Sequence, residues 1–142
     1  MFSKETRKNN INNIIAYVEK FMYNNIYKSN IVNGFFVLFV HWIIVGITGL
    51  YILFGNVDTL FYICVVIWII IFGLHFYFNG CILTKIERHL WKTNKWNGPW
   101  MLPFKILESI HIKITPNIMN YIFISWGFFL TIFTILKMIY YT

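Results

Sequence analysis

With 142 residues, 58% of them hydrophobic, 21% aromatic and only 12% charged, the chain has material for a single membrane domain and excludes a separate soluble one. Its net charge of +7 is concentrated in segments flanking apolar runs, and no nucleic-acid-binding motif accompanies it, so nucleic acid is not an expected partner. Cys64 and Cys81 would stand about 25 Å apart on one helix, which excludes a disulfide between them.

Residues 1–30 are polar and amphipathic. Ile11, Ile14, Ile15, Val18, Met22 and Ile26 recur near a 3.6-residue period, predicting a helix from Asn10 to about Lys28. Glu19 and Lys20 make it a poor span. It is expected along the cytosolic membrane surface, with Tyr17, Tyr23 and Tyr27 at headgroup depth, or packed on the chain's own cytosolic loop. The late onset and length of the first strongly apolar stretch, without a small-residue cleavage site, argue against a cleaved signal peptide.

Three apolar runs come next, at 31–54, 60–83 and 118–141, and Lys137 is the one Asp, Glu, Lys or Arg within them. Each is long enough to cross a bilayer, since about 20 helical residues rising about 1.5 Å apiece match a hydrocarbon core of about 30 Å. The expected fold is therefore an all-α membrane protein with three transmembrane helices. The short connection Gly55-Asn56-Val57-Asp58-Thr59 makes the first two spans an antiparallel hairpin. Lys4, Arg7, Lys8, Lys20 and Lys28 precede the first run, while Lys85, Arg88, Lys92, Lys95, Lys105 and Lys113 separate the second from the third. The positive-inside rule then places the N-terminus and residues 84–117 in the cytosol and the C-terminus across the membrane. The same cations suit anionic membrane lipids.

Within 84–117, Trp91, Trp96 and Trp100 alternate with Lys92 and Lys95 and are punctuated by Gly98-Pro99 and Pro103, the pattern of a segment at the membrane interface. The residues beyond the second proline suit a short helix from Phe104 to about His111, while the alternation Ile110-His111-Ile112-Lys113-Ile114 supports an extended segment. Thr115-Pro116 marks the start of the third span, with Thr as cap and Pro in the first turn.

Polar residues inside the spans are the candidates for chemistry, because they usually face a bundle interior or cavity. Gly34, His41, Thr48 and Gly49 form one stripe; Cys64, Trp68, Ile71, His75 and Asn79 form a second; Asn120, Gly127, Thr131 and Thr134 form a third. Counted from the hairpin, His41 and His75 lie at nearly the same depth. They suit a structural hydrogen-bonded pair, axial ligation of haem b or a metal, or a titrating ring in an oligomeric proton or ion channel.

The stretch Asn79-Gly80-Cys81-Ile82-Leu83-Thr84-Lys85-Ile86-Glu87-Arg88 is the most distinctive of the chain. Asn79-Gly80 suits a helix end, and Thr84 and Glu87 have capping-box spacing, although one unbroken helix also fits. Glu87-Arg88 reads as a solvated surface pair, and the eight-residue interval from Cys81 to His89 fits no common metal pair. The stretch resembles small bacterial multi-pass membrane proteins that carry Cys-Pro-Leu-Thr-x-Leu-Glu at the end of a spanning helix, with Ile82 here in place of the proline. That resemblance implies a multi-pass helical fold and groups Cys81, Thr84 and Glu87 as a structural or binding motif, without an activity. No phosphate loop, HExxH helix or nucleophile elbow points to an enzyme. The expected role is a structural or interaction protein acting through helix packing and lipid contact, partnered by a membrane protein or by further copies of itself.

Overall fold

The computed structural model describes residues 4–96, 98–111 and 115–141. Among them every regular element is helical: α1 (Lys4–Asn25), α2 (Asn30–Trp42), a π-helical turn (Ile43–Ile47), α3 (Thr48–Phe54), α4 (Thr59–Phe78), α5 (Ile82–Leu90), a 3₁₀ turn (Gly98–Trp100), α6 (Met101–Ser109) and α7 (Pro116–Tyr141). Three stretches are long and apolar enough to cross a membrane: Asn30–Phe54, Thr59–Phe78 and Tyr121–Tyr141. The second ends five residues short of the expected 83, because Asn79 (φ 51°) and Gly80 (φ 121°) both take positive φ and stop the helix. The amides of Asn79 and Gly80 turn back to the carbonyls of Phe76 and His75, and Lys85 Nζ reaches the Phe78 carbonyl at 2.5 Å. A cation at the last carbonyls of a helix opposes the negative end of its dipole.

The residues cluster into two compact units, one joining the chain up to Trp42 with Leu74–Met101, the other joining Ile43–Gly73 with Leu102–Thr142. In the first, Ile15 and Met22 of α1 are buried with Val37 of α2 and Ile86 and Leu90 of α5. Ile11, Ile15, Val18 and Met22 of the predicted α1 stripe thus pack on the chain itself, while Ile14, Ile26, Tyr17, Tyr23 and Tyr27 stay exposed. Glu19 fastens the arrangement, accepting from Asn30 Nδ2 at 2.5 Å and from His89 Nε2 at 2.8 Å. The His89 bond holds the Glu19 carboxyl below its ordinary range despite partial burial.

Helix α5 runs back along α2, so that Cys81 lies by His41 at one end and Trp91 by Ile31 and Gly34 at the other. The Trp91 indole N–H donates to the Ile31 carbonyl at 3.1 Å, and its ring meets Phe35 with centroids 5.2 Å apart. A Cβ on Gly34 would collide with Trp91 Nε1. Gly34→Ala is therefore expected to force out a ring held by both packing and a hydrogen bond, at a loss of about 1–3 kcal/mol. Reversible unfolding in detergent measures the loss, and adding Trp91→Leu should recover part of it by removing the obstacle.

In the second unit, Ile52, Phe61, Cys64, Trp68 and Leu130 form the buried core. Asp58 opens α4, accepting from the Phe61 amide at 2.9 Å and from the Tyr51 hydroxyl at 2.7 Å. The Phe61 amide, then the Tyr51 hydroxyl, draw the Asp58 carboxyl below its usual value. Gly127 lies under Phe72, whose ring also stacks on Phe123 with centroids 5.9 Å apart. Thr134 is buried, whereas Thr131, expected on the same seam, is exposed and bonds back to the Gly127 carbonyl of its own helix. Asn79 is likewise exposed, because it forms the turn that ends α4 instead of extending the second stripe. The side chain of Asn120 lies outside the described residues.

The segment after α5 contains a helix that begins at Met101, before Pro103, which occupies the first turn where no amide donor is needed. Residues 112–114, whose alternation suggests an extended segment, lie outside the described residues. Thr115 Oγ1 accepts from the Ile118 amide at 3.3 Å and Pro116 starts α7, in agreement with the signal of the Thr-Pro pair.

Candidate functional site

The chain reversal at Asn79-Gly80 delivers Cys81 to the start of α5 in an extended conformation (φ −66°, ψ 122°). Its sulfur stands 3.4 Å from His41 Nε2, and on the other side of the ring His41 Nδ1 stands 2.8 Å from Glu87 Oε1. The second carboxylate oxygen of Glu87 accepts from the Trp96 indole N–H. His41 is 3% exposed and Glu87 0%, whereas Cys81 is half-buried. A buried carboxylate with two donors is satisfied, and its burial corrects the reading of Glu87-Arg88 as a solvated pair. The capping box is also corrected: Cys81 occupies the N-cap of α5, and Glu87 faces His41 and Trp96 instead of the helix start.

The order Cys81–His41–Glu87 assigns the protons. A carboxylate only accepts, so Nδ1 carries a hydrogen toward Glu87; in the neutral ring Nε2 is then an acceptor facing the thiol. Transfer of the thiol proton to Nε2 gives a thiolate beside an imidazolium that Glu87 stabilises. This is the connectivity of a nucleophile, a base and an orienting acid. Burial pushes the Cys81 thiol up, but the His41 ring and then the adjoining Thr84 groups outweigh it and hold the thiol below its ordinary value. Its position at a helix N-terminus acts in the same direction.

A short loop covers the site. Gly98 (φ 65°) is buried, and a Cβ there would stand 2.5 Å from Thr84 Oγ1 and 3.4 Å from His41 Cε1, so only a bare backbone fits. Arg88 Nε donates to the Trp96 carbonyl, fixing the loop to α5. Trp96 in turn meets Trp91 edge-on at 5.0 Å. Both indole N–H groups are thus satisfied inside the unit; the side chain of Trp100 lies outside the described residues.

Of the residues singled out in the sequence, His41, Cys81, Thr84, Glu87 and Trp96 meet in one place and Trp91 adjoins it. His75 is half-buried on α4. With Cys81 on one nitrogen of His41 and Glu87 on the other, no nitrogen is left for His75, and a haem bond from His41 would have to displace one of these partners. Among the described residues no three His, Cys, Asp or Glu side chains converge on a point that would hold a metal ion. Sequence reasoning missed the union of His41 with Cys81 and Glu87; the signal was an imidazole within a span together with a thiol and a carboxylate six residues apart just after the next one. No family profile, curated protein or solved structure matches this chain.

Proposed function

We propose that this chain is a multi-pass membrane protein in which Cys81 acts as a nucleophile on activated acyl groups at the cytosolic membrane surface. The observation that carries the reading is the His41 ring held between the thiol at 3.4 Å and a fully buried carboxylate at 2.8 Å. The sulfur attacks the carbonyl carbon of an ester or thioester, and His41 takes the thiol proton. The bond from carbonyl carbon to the departing oxygen or sulfur breaks, and His41 returns the proton to that leaving group. The products are an acyl-Cys81 thioester and a free alcohol or thiol. The cytosolic placement rests on the basic residues that flank the first span and follow the second. The three spans anchor the site, with Phe39, Ile69, Phe128 and Ile139 among the exposed apolar side chains offered to lipid or to another copy.

Alkylation of the detergent-purified protein by iodoacetamide, resolved by peptide mass, tests the thiol. The midpoint of the Cys81 pH–rate profile is expected well below the ordinary thiol value of about 8.5, and His41→Asn is expected to return it to that range. A wild-type midpoint at the ordinary value, unmoved by His41→Asn, refutes the reading. Incubation with a p-nitrophenyl acyl ester should add the acyl mass to Cys81 and none to a Cys81→Ser variant.

A further inference from the structure

From Lys85, one helical turn after Cys81, α5 helps to line an open cleft of about 670 Å³ whose lining includes Glu19, Lys85, Arg88, Lys92, Thr93 and Asn94. Lys85 and Arg88 stand three residues apart on one face of α5, and Lys92, in the turn that follows the helix (φ 50°), lines the same cleft. Glu19, the carboxylate of the lining, is engaged by His89 and Asn30. Three cations therefore crowd one concave surface whose carboxylate is already paired. The crowding is visible at Lys85, which burial and then the Arg88 charge hold below the usual ammonium value. An anion in the cleft relieves it.

Position narrows the anion. Lys85 follows Cys81 by one helical turn and its ammonium lies at the carbonyl end of a membrane-spanning helix, so the cleft begins where hydrocarbon gives way to headgroups. Thr93 and Asn94 add neutral hydrogen-bonding groups at the far end of the lining. In a glycerophospholipid the ester carbonyls lie only a few bonds from the phosphate, so a phosphate on Lys85 and its neighbours brings an ester toward the sulfur.

We infer that the Lys85–Arg88–Lys92 cleft binds the phosphate of an anionic glycerophospholipid and so presents its acyl ester to Cys81. The binding stands on the cleft alone; the role of that lipid as substrate rests on the nucleophilic reading of Cys81. The alternatives are a purely topological role for the cations and a site for free phosphate.

The test uses the full chain in detergent, titrated with dihexanoyl phosphatidylglycerol while tryptophan emission is followed, Trp91 and Trp96 being adjacent to the lining. Saturable binding is expected, about ten-fold or more weaker in Lys92→Glu and restored in Lys92→Arg, in keeping with the attraction between one basic side chain and an anionic lipid surface. Dihexanoyl phosphatidylcholine, with the same phosphate but no net charge, should bind more weakly. Inorganic phosphate binding as tightly as phosphatidylglycerol overturns the lipid assignment. Equal binding by wild type and Lys92→Glu overturns the site altogether. Wild-type alkylation separates the two readings: an ordinary Cys81 profile with intact lipid binding removes only the substrate role, while a lowered profile without lipid binding removes only the cleft.

Discussion

Glu87→Ala is expected to destabilise the unit that carries the thiol by about 3–5 kcal/mol, the cost of breaking a buried charged network by removing one partner. The side chain is 0% exposed and satisfies both His41 Nδ1 and Trp96 Nε1, so truncation leaves two buried N–H groups without an acceptor and a void beside them. Glu87→Gln is expected to lose less. Its volume is retained and its amide oxygen still accepts one of the two bonds, but the charge that favours a protonated His41 is gone. The midpoint of Cys81 alkylation should therefore rise in Glu87→Gln even where unfolding in detergent changes little. A merely structural carboxylate would move the unfolding transition and leave the alkylation profile in place. Combining Glu87→Leu with His41→Leu and Trp96→Phe removes the carboxylate together with both of its donors. That triple variant should recover much of the stability lost by Glu87→Ala, because apolar replacement of a whole buried network is often close to neutral.

The spans were legible because their signal is local. Length and apolar content alone define Asn30–Phe54, Thr59–Phe78 and Tyr121–Tyr141, and the Thr115-Pro116 pair marks the start of α7 by the chemistry of a cap. Asn79-Gly80 was legible as a helix end for the same reason, although the apolar run continues through Ile82 and Leu83 and hid how early the helix stops. The site was legible only in pieces. His41 and Cys81 are forty residues apart, and depth counting along two straight helices pairs His41 with His75. That counting does not find the partners His41 takes, because the chain reverses after Gly80 and lays α5 along α2, bringing a thiol and a carboxylate to the imidazole from a third direction. Trp96 has the sequence pattern of an interfacial anchor. Its backbone is tied to Arg88 and its indole to Glu87, contacts no periodicity in the loop records.

A basic side chain within an apolar span poses the sharpest energetic conflict in the other unit. Lys137 stands near the end of the third span, where its insertion carries a penalty, yet its ammonium donates to the Gly55 carbonyl at 2.6 Å and the Ile52 carbonyl at 3.0 Å. These are carbonyls at the end of α3, and the same ammonium lies 5.2 Å from the centre of the Phe61 ring. The helix-end interaction reaches about 2 kcal/mol when partly buried and the ring adds about 0.5–2 kcal/mol, so Lys137→Met is expected to lower the stability of the folded protein by about 2–4 kcal/mol. The same change should ease insertion of the third span, because a charge is removed from the hydrocarbon region. The two effects oppose each other and are separable: glycosylation mapping in microsomes reads insertion, and unfolding of the purified protein in detergent reads packing. Lys137→Arg should preserve the stability, and Lys137→Glu should lower it further than Met, since a carboxylate would face the negative end of α3. A Met variant that unfolds like the wild type would mean that the hairpin end is held by the Ile52, Phe61 and Leu130 core alone, with the ammonium adding nothing beyond what water or headgroups supply.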